Sequence, residues 1–302
     1  MKKSLFFLLA LGISVNTFAQ NKSPLILGGT KFTYPLVEAW ITAYKQANPT
    51  ASIKLVEKGQ EGFDKVNVRI ASYDVVKEPL KENEVATAVS RYALLPVANA
   101  NNTLAQKAQR KGIKQEDLKK LFLEDPEDDF EGKKVEDTYQ IYTRSAKVCS
   151  SITFANYLGG SYDDIVGKRI AGDDKHLLEA IKKDSAGITY SNASYLYDLK
   201  TRTLNAGVLV LPVDLNGNGK LDKTEQLYQN LDVLLTYLEK NPEGKAISTE
   251  KVYFVTDGKT ENEELTRFVA WIRNEGQTLS SALGFLNLHG EDEKSASIRT
   301  IK

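Results

Sequence analysis

The stretch Tyr142–Gly160, YTRSAKVCSSITFANYLGG, decides how this chain is read. An apolar run ends at Arg144. A short polar segment holding Ser145, Ser150 and Ser151 follows, and an amphipathic helix then begins. Such a stretch suits an anion. A helix start leaves unpaired backbone N–H groups, its dipole favours negative charge, and a guanidinium donates in a fork. Val148 and Cys149 stand where glycine and serine would serve better. The same pattern also describes a plain helix cap, so the remainder of the chain has to arbitrate.

Two more segments have the same design. In LILGGTKFTYPL and in KLVEKGQEGFDKV an apolar run enters a polar loop that should open a helix. Further strands are expected in YALLPVAN, GITYS, GVLVLPVD and KVYFVTDG. Helical periodicity marks YPLVEAWITAYKQANP, QEDLKKLFLED, KHLLEAIKKD and NEELTRFVAWIRNEGQTLSSALGF, the last as one or two helices. Trp40 and Trp271 fall on apolar helix faces, as core residues do. Strands alternating with helices predict α/β layers. EDPEDDFEGKKVED reads as a solvated charged loop, and the tail beyond Leu288 as loose.

At 302 residues the chain is long enough for two lobes. Its 40 basic and 40 acidic residues balance, which leaves no electrostatic footprint for nucleic acid or an anionic membrane. The N-terminus, MKKSLFFLLALGISVNTFAQ, has the lysines, short apolar run and small-residue ending of a secretory signal peptide, cut near Ala19. The mature chain should then be periplasmic or secreted, without membrane insertion. Cys149 is the only cysteine, which excludes an internal disulfide.

In order and spacing, several of these motifs resemble the phosphate-binding subunits of ABC importers. GGTKFTYPLVEAW is similar to their opening turn and helix, YDVVKEPL to a strand-to-loop segment, and ALLPVANANN to the first crossover between lobes. RSAKVCSSITFANYL resembles their Arg-Ser-Asp-Gly-Ser-Gly-Thr segment, DSAGITYSNASYLYD a later strand, and FVAWIRNEGQTLSSALGFLNL the last helix pair. The resemblance implies an α/β, two-lobed type II periplasmic binding protein fold with mixed sheets flanked by helices. It implies lobe 1 at residues 20–97 plus about 252–302 and lobe 2 at 98–251, after a signal peptide at 1–19. It further implies a small anionic solute between the lobes and an ABC permease as partner.

Carried over position by position, the ligand contacts become Thr30, Lys31, Phe32 and Thr33 in the first loop, Lys77 in the second, and Arg144, Ser145, Ser150 and Ser151 in the third. Lys77 stands where the family has an Asp that accepts a hydrogen bond from protonated phosphate. A lysine there adds attraction and removes the need for a protonated ligand. No serine survives in KGQEGFD. Phosphate or a related oxyanion is the leading ligand. The alternative is a binding module with another ligand or a scaffold role.

A second motif stands apart from this pattern. DLNGNGKLDKTE sets Asp214, Asn216, Asn218, Asp222 and Glu225 at positions 1, 3, 5, 9 and 12 of a calcium loop. Gly219 supplies the sharp turn and Lys220 a backbone carbonyl. A strand enters it and a helix, EQLYQNLDVLLTYLEK, leaves, so a single structural Ca2+ is expected rather than a paired switch.

Enzyme signatures are weak, and a non-enzyme is expected. Cys149 with His176 or His289 would make a thiol nucleophile, but no flanking motif supports it. Ser248–Lys251 matches Ser-x-x-Lys without the companion motifs. Two histidines do not make a His-rich metal site.

Overall fold

In the computed structural model the described residues are 24–75, 80–124, 139–242, 244–258, 262–290 and 298–299. The signal segment, Lys77 and the charged loop after Glu124 lie outside them. The strands are β1 (Leu25–Gly29), β2 (Ile53–Leu55), β3 (Val68–Ala71), β4 (Glu84–Asn99), β5 (Gln140–Arg144), β6 (Lys168–Ile170), β7 (Gly187–Asn192), β8 (Val208–Val210), β9 (Ser248–Asp257) and β10 (Ile298–Arg299). The helices are α1 (Tyr34–Ala47), α2 (Thr103–Lys111), α3 (Gln115–Leu123), α4 (Cys149–Tyr157), α5 (Asp174–Lys182), α6 (Ala193–Leu196), α7 (Leu231–Lys240) and α8 (Glu263–Asn274).

The strands follow the order β2-β1-β3-β9-β4-β7-β5-β6, with β8 and β10 also pairing β4. At one end β1 pairs β2 and β3 in parallel; at the other, β5 pairs β6 and β7 in parallel. Two antiparallel strands join these ends. β4 begins beside Asp257 of β9 and, ten residues on, pairs Leu94 with Ser248, so β9 retraces β4 in reverse. Beyond Leu94, β4 pairs β7. One end is thus built from the chain before β4 and after β9, the other from the chain between them, which makes two lobes joined by two crossover strands.

The sequence explains this division. β4 carries sixteen residues with almost no exposed position, far longer than the YALLPVAN core that predicts it, because it is covered on both faces in both lobes. Helix α1 buries Leu36, Val37, Trp40, Ile41 and Tyr44, with Pro35 in its first turn, where a missing N–H costs nothing. Trp40 is fully buried, and its indole N–H donates to the Gly276 carbonyl at 2.8 Å. Trp271 stacks on Phe268 at 6.5 Å and packs at the core edge.

Several local expectations are corrected. After β2 no helix forms, only a 3-10 turn at Phe63–Lys65; Gly59 and Gly62 take φ of +95° and +88° and bend the loop away from helical geometry. The helix foreseen from Glu225 starts at Leu231, because the Asn230 side chain caps it by accepting the N–H groups of Asp232 and Val233. Leu227 is therefore buried outside the helix. The segment after α8 makes two short 3-10 turns, Gly276–Leu279 and Ser281–Leu283, in place of a second α-helix. α2, β3 and β6 escaped the sequence reading. No described helix is long and apolar enough to cross a membrane.

Candidate functional site

Between the lobes, where β1, β3, β5 and β6 end, lies a cavity of about 610 Å³. Lobe 1 lines it with the loop Gly29–Phe32, with Lys58, and with Arg69, Ile70, Ala71 and Tyr73. Lobe 2 contributes Arg144, Lys147 to Ser150, Gly172 to Asp174, and Tyr195. Helix starts face it from both sides: the turn into α1, α4 and α5.

Close backbone approach shapes both rims. Gly29 has φ +142°, and a Cβ there would sit 2.3 Å from the Ile70 carbonyl oxygen. Gly172 has φ +108°, and a Cβ there would lie 2.6 Å from the His176 ring. Both turns therefore require glycine. Val148 occupies the N-cap of α4, and no side chain caps that helix. Among the described residues no side chain accepts from its first-turn N–H groups.

The structure brings Thr30, Lys31, Phe32, Arg144 and Ser150 together on this cavity. Three other expected contacts are placed elsewhere. Thr33 is fully buried, and its hydroxyl donates to the Thr30 carbonyl at 2.7 Å. Ser145 is exposed beyond the rim, its N–H donating to the Ile170 carbonyl at 2.9 Å. Ser151 is fully buried and accepts from the Tyr190 hydroxyl at 2.7 Å. In each case helix or turn periodicity directs the side chain away from the cleft.

Arg144 is buried, and its charge is already matched. Nη1 donates to Asp174 Oδ1 at 2.7 Å, and Nη2 donates to the Gly172 carbonyl. The Ser150 hydroxyl donates to the same Oδ1 at 3.0 Å. Nε of Arg144 is buried without a partner. Burial raises the Asp174 carboxyl above its ordinary pKa, against the opposing pull of Arg144 and Ser150.

Contacts also bridge the lobes. Lys31 Nζ lies 3.5 Å from Glu57 in its own lobe and 3.5 Å from Asp173 across the cleft. These two carboxylates, Glu57 first, raise the Lys31 pKa. Partial burial alone would raise the Asp173 carboxyl, but the hydrogen bond and charge of His176, the Lys175 N–H and the Lys31 charge together hold it below its ordinary value. The Thr30 hydroxyl lies 3.1 Å from the Cys149 thiol. The buried Tyr92 hydroxyl of β4 donates to the Ser72 carbonyl at 2.6 Å and contacts the Thr153 hydroxyl at 3.1 Å.

Sequence reasoning missed Lys58, Arg69, Tyr73, Lys147, Asp173, Asp174 and Tyr195. The one available signal was the DD pair opening a helix after a strand, as in the three segments that were singled out. Among the described residues neither histidine bonds Cys149: His176 Nδ1 pairs with Asp173 at 2.9 Å and His289 Nε2 with Glu239 at 2.5 Å.

In the DLNGNGKLDKTE loop, Asp214 accepts from the N–H groups of Gly217 and Gly219, both at 2.8 Å. Glu225 is buried and accepts from Leu215, Asn216 and Asp222 N–H at 2.7, 3.1 and 2.8 Å. Asp222 accepts from the side-chain amides of Asn216 and Asn218 at 3.0 and 2.8 Å, which lowers its pKa. Among the described residues no three Asp, Glu, His or Cys side chains converge as a metal-ligating group.

No family model matches the chain, and no curated protein matches it by sequence. Solved structures do. A phosphate ABC transporter substrate-binding protein from Clostridium perfringens, solved with bound phosphate, is 14% identical, with a TM-score of 0.63 over 88% of this chain and 100% of its own. An ABC-type phosphate transport receptor from Vibrio cholerae is 11% identical, with a TM-score of 0.59 over 88% and 100%. PstS from Borrelia burgdorferi is 17% identical, with a TM-score of 0.50 over 89% and 100%. With its two lobes, paired crossover strands and interlobe cavity, the chain has the type II periplasmic binding protein fold, the fold of the phosphate-binding subunits that its motifs resemble.

Proposed function

We propose that the chain is an exported solute-binding protein, not an enzyme, that holds a small anionic solute between its lobes for ABC-type import. The observation that carries this reading is the convergence of Lys31 and Arg144 on one interlobe cavity. Five basic side chains line it (Lys31, Lys58, Arg69, Arg144 and Lys147) against two acidic ones, Asp173 and Asp174, while Glu57 and Glu84 pair with Lys31 and Arg69 from beside the lining. The remaining positive charge and the two helix starts without a side-chain cap, those of α1 and α4, favour an anion, whereas the start of α5 is capped by Asp173. The phosphate-bound neighbour supports a phosphate-type group as the ligand's charged part. Residues 1–19 would direct export, and an ABC permease would receive the closed, loaded form.

Calorimetry with phosphate, sulfate, pyrophosphate and an organic phosphate tests this. Saturable binding of at least one, weakened by added salt and by Lys58→Ala, is expected. If none of the four binds, the reading fails.

The DLNGNGKLDKTE loop supports a second, independent reading: a structural Ca2+ site. Asp214, Asn216, Asn218, Asp222 and Glu225, with the Lys220 carbonyl, would hold the ion. The donors are all hard oxygens, as calcium prefers. Both Asp214 oxygens and Glu225 Oε2 accept one N–H each and keep a lone pair for a metal, whereas Glu225 Oε1 and Asp222 Oδ2 accept two and would have to release one as the ion enters.

A further inference from the structure

If the cavity binds an anion, as proposed above, its construction says what carries the charge. Arg144 and Ser150, the two lobe 2 groups suited to clasp an oxyanion, already clasp the Asp174 carboxylate, at 2.7 and 3.0 Å. Only Nε of Arg144 is unpartnered, and a single N–H cannot form the bidentate grip that an oxyanion favours. A bare oxyanion brought to Arg144 would also meet the Asp174 charge.

Size argues the same way. Inorganic phosphate displaces only a few waters, at about 30 Å³ each. The cavity holds about 610 Å³, within the range of roughly 300–1,000 Å³ that accommodates organic ligands. Part of its wall is apolar: Ile70 and Ile152 are buried there, with Val148 between lobes and helix start. Tyr195 adds a half-buried aromatic ring whose hydroxyl has no hydrogen-bond partner among the described residues. Lys31 and Lys58, by contrast, are exposed and so stand at the mouth.

We propose that the ligand is an organic anion rather than a bare inorganic oxyanion. Its apolar or aromatic body lies against Val148, Ile152 and Tyr195, and the anionic group faces Lys58 at the mouth. Asp174 is the specificity determinant that keeps free oxyanion off Arg144.

The test is calorimetry on the full mature chain with three probes at one ionic strength: inorganic phosphate, phenyl phosphate and benzyl alcohol. Phenyl phosphate should bind at least tenfold tighter than phosphate, and Tyr195→Ala should remove most of that advantage without weakening phosphate. If phosphate binds as tightly as phenyl phosphate, the organic-anion assignment is overturned while the anion-binding reading stands. Should benzyl alcohol match phenyl phosphate, both are overturned; should no probe bind, the organic-anion assignment is overturned, and the anion-binding reading with it once sulfate and pyrophosphate also fail to bind. If Tyr195→Ala does not fold, the comparison on the unsubstituted chain decides alone.

Discussion

Arg144 shows what one residue can and cannot disclose. Its place at the end of a strand, before a helix start, is legible in YTRSAKVCSS. Its partner is not: Asp174 lies thirty positions away, and only the parallel pairing of β5 with β6 brings it to 2.7 Å. Breaking a buried pair from one side leaves a bare charge, so Arg144→Met should destabilise the fold by about 3–5 kcal/mol in urea titration. Adding Asp174→Asn should recover most of that loss. The Asp174 pKa is already raised on folding, so its protonated form is the one that folding favours. In Arg144→Met alone the deficit should therefore shrink at low pH and grow as pH rises through the raised pKa. A deficit independent of pH would mean that Asp174 is not the stranded group.

Among the elements, long buried strands and regular helices were readable because periodicity reports burial directly. β1, α1, α3 and α5 all follow their patterns. Failures occur where a loop competes with a helix. KGQEGFDKV has helical composition, yet its glycines make turns, and the third helix start at the cavity comes from α5 instead. The DLNGNGKLDKTE loop is an element whose spacing alone states an expectation. Millimolar Ca2+ should raise the melting temperature by several degrees over a chelated sample, and Glu225→Gln should abolish the shift. Equal melting with and without chelator would remove calcium from the description. At the crossover, Tyr92→Phe strips the hydroxyl that ties β4 to Ser72 and Thr153. Loss of that buried hydrogen bond should cost about 1–2 kcal/mol in chemical denaturation.

At the scale of the molecule, Lys31 and Asp173 join opposite charges across the cavity. The Asp173 pKa is lowered on folding, so what this carboxylate contributes is present above its unfolded pKa and is lost as pH falls through the lowered value. Asp173→Asn should thus lower the urea midpoint at neutral pH, and the difference from the parent should fade below about pH 4, near the ordinary Asp value. A difference that persists unchanged at lower pH would assign the effect to the neutral hydrogen bonds of Asp173 instead.

By itself the sequence determined the α/β class, two of the strand-to-helix turns that face the cleft, those into α1 and α4, and the order of motifs that resemble phosphate-binding subunits. These are local properties, written in periodicity, capping and glycine placement. The tertiary structure alone decided which side chains reach the cavity and which charges remain available within it. Thr33, Ser145 and Ser151 turn away, while Asp173, Asp174 and Tyr195 enter from a lobe that sequence reasoning credited only with Arg144 and its serines. The physical reason is that charge balance in a cleft depends on through-space distances of a few ångströms. Strand register and lobe packing set those distances, and no spacing along the chain encodes them.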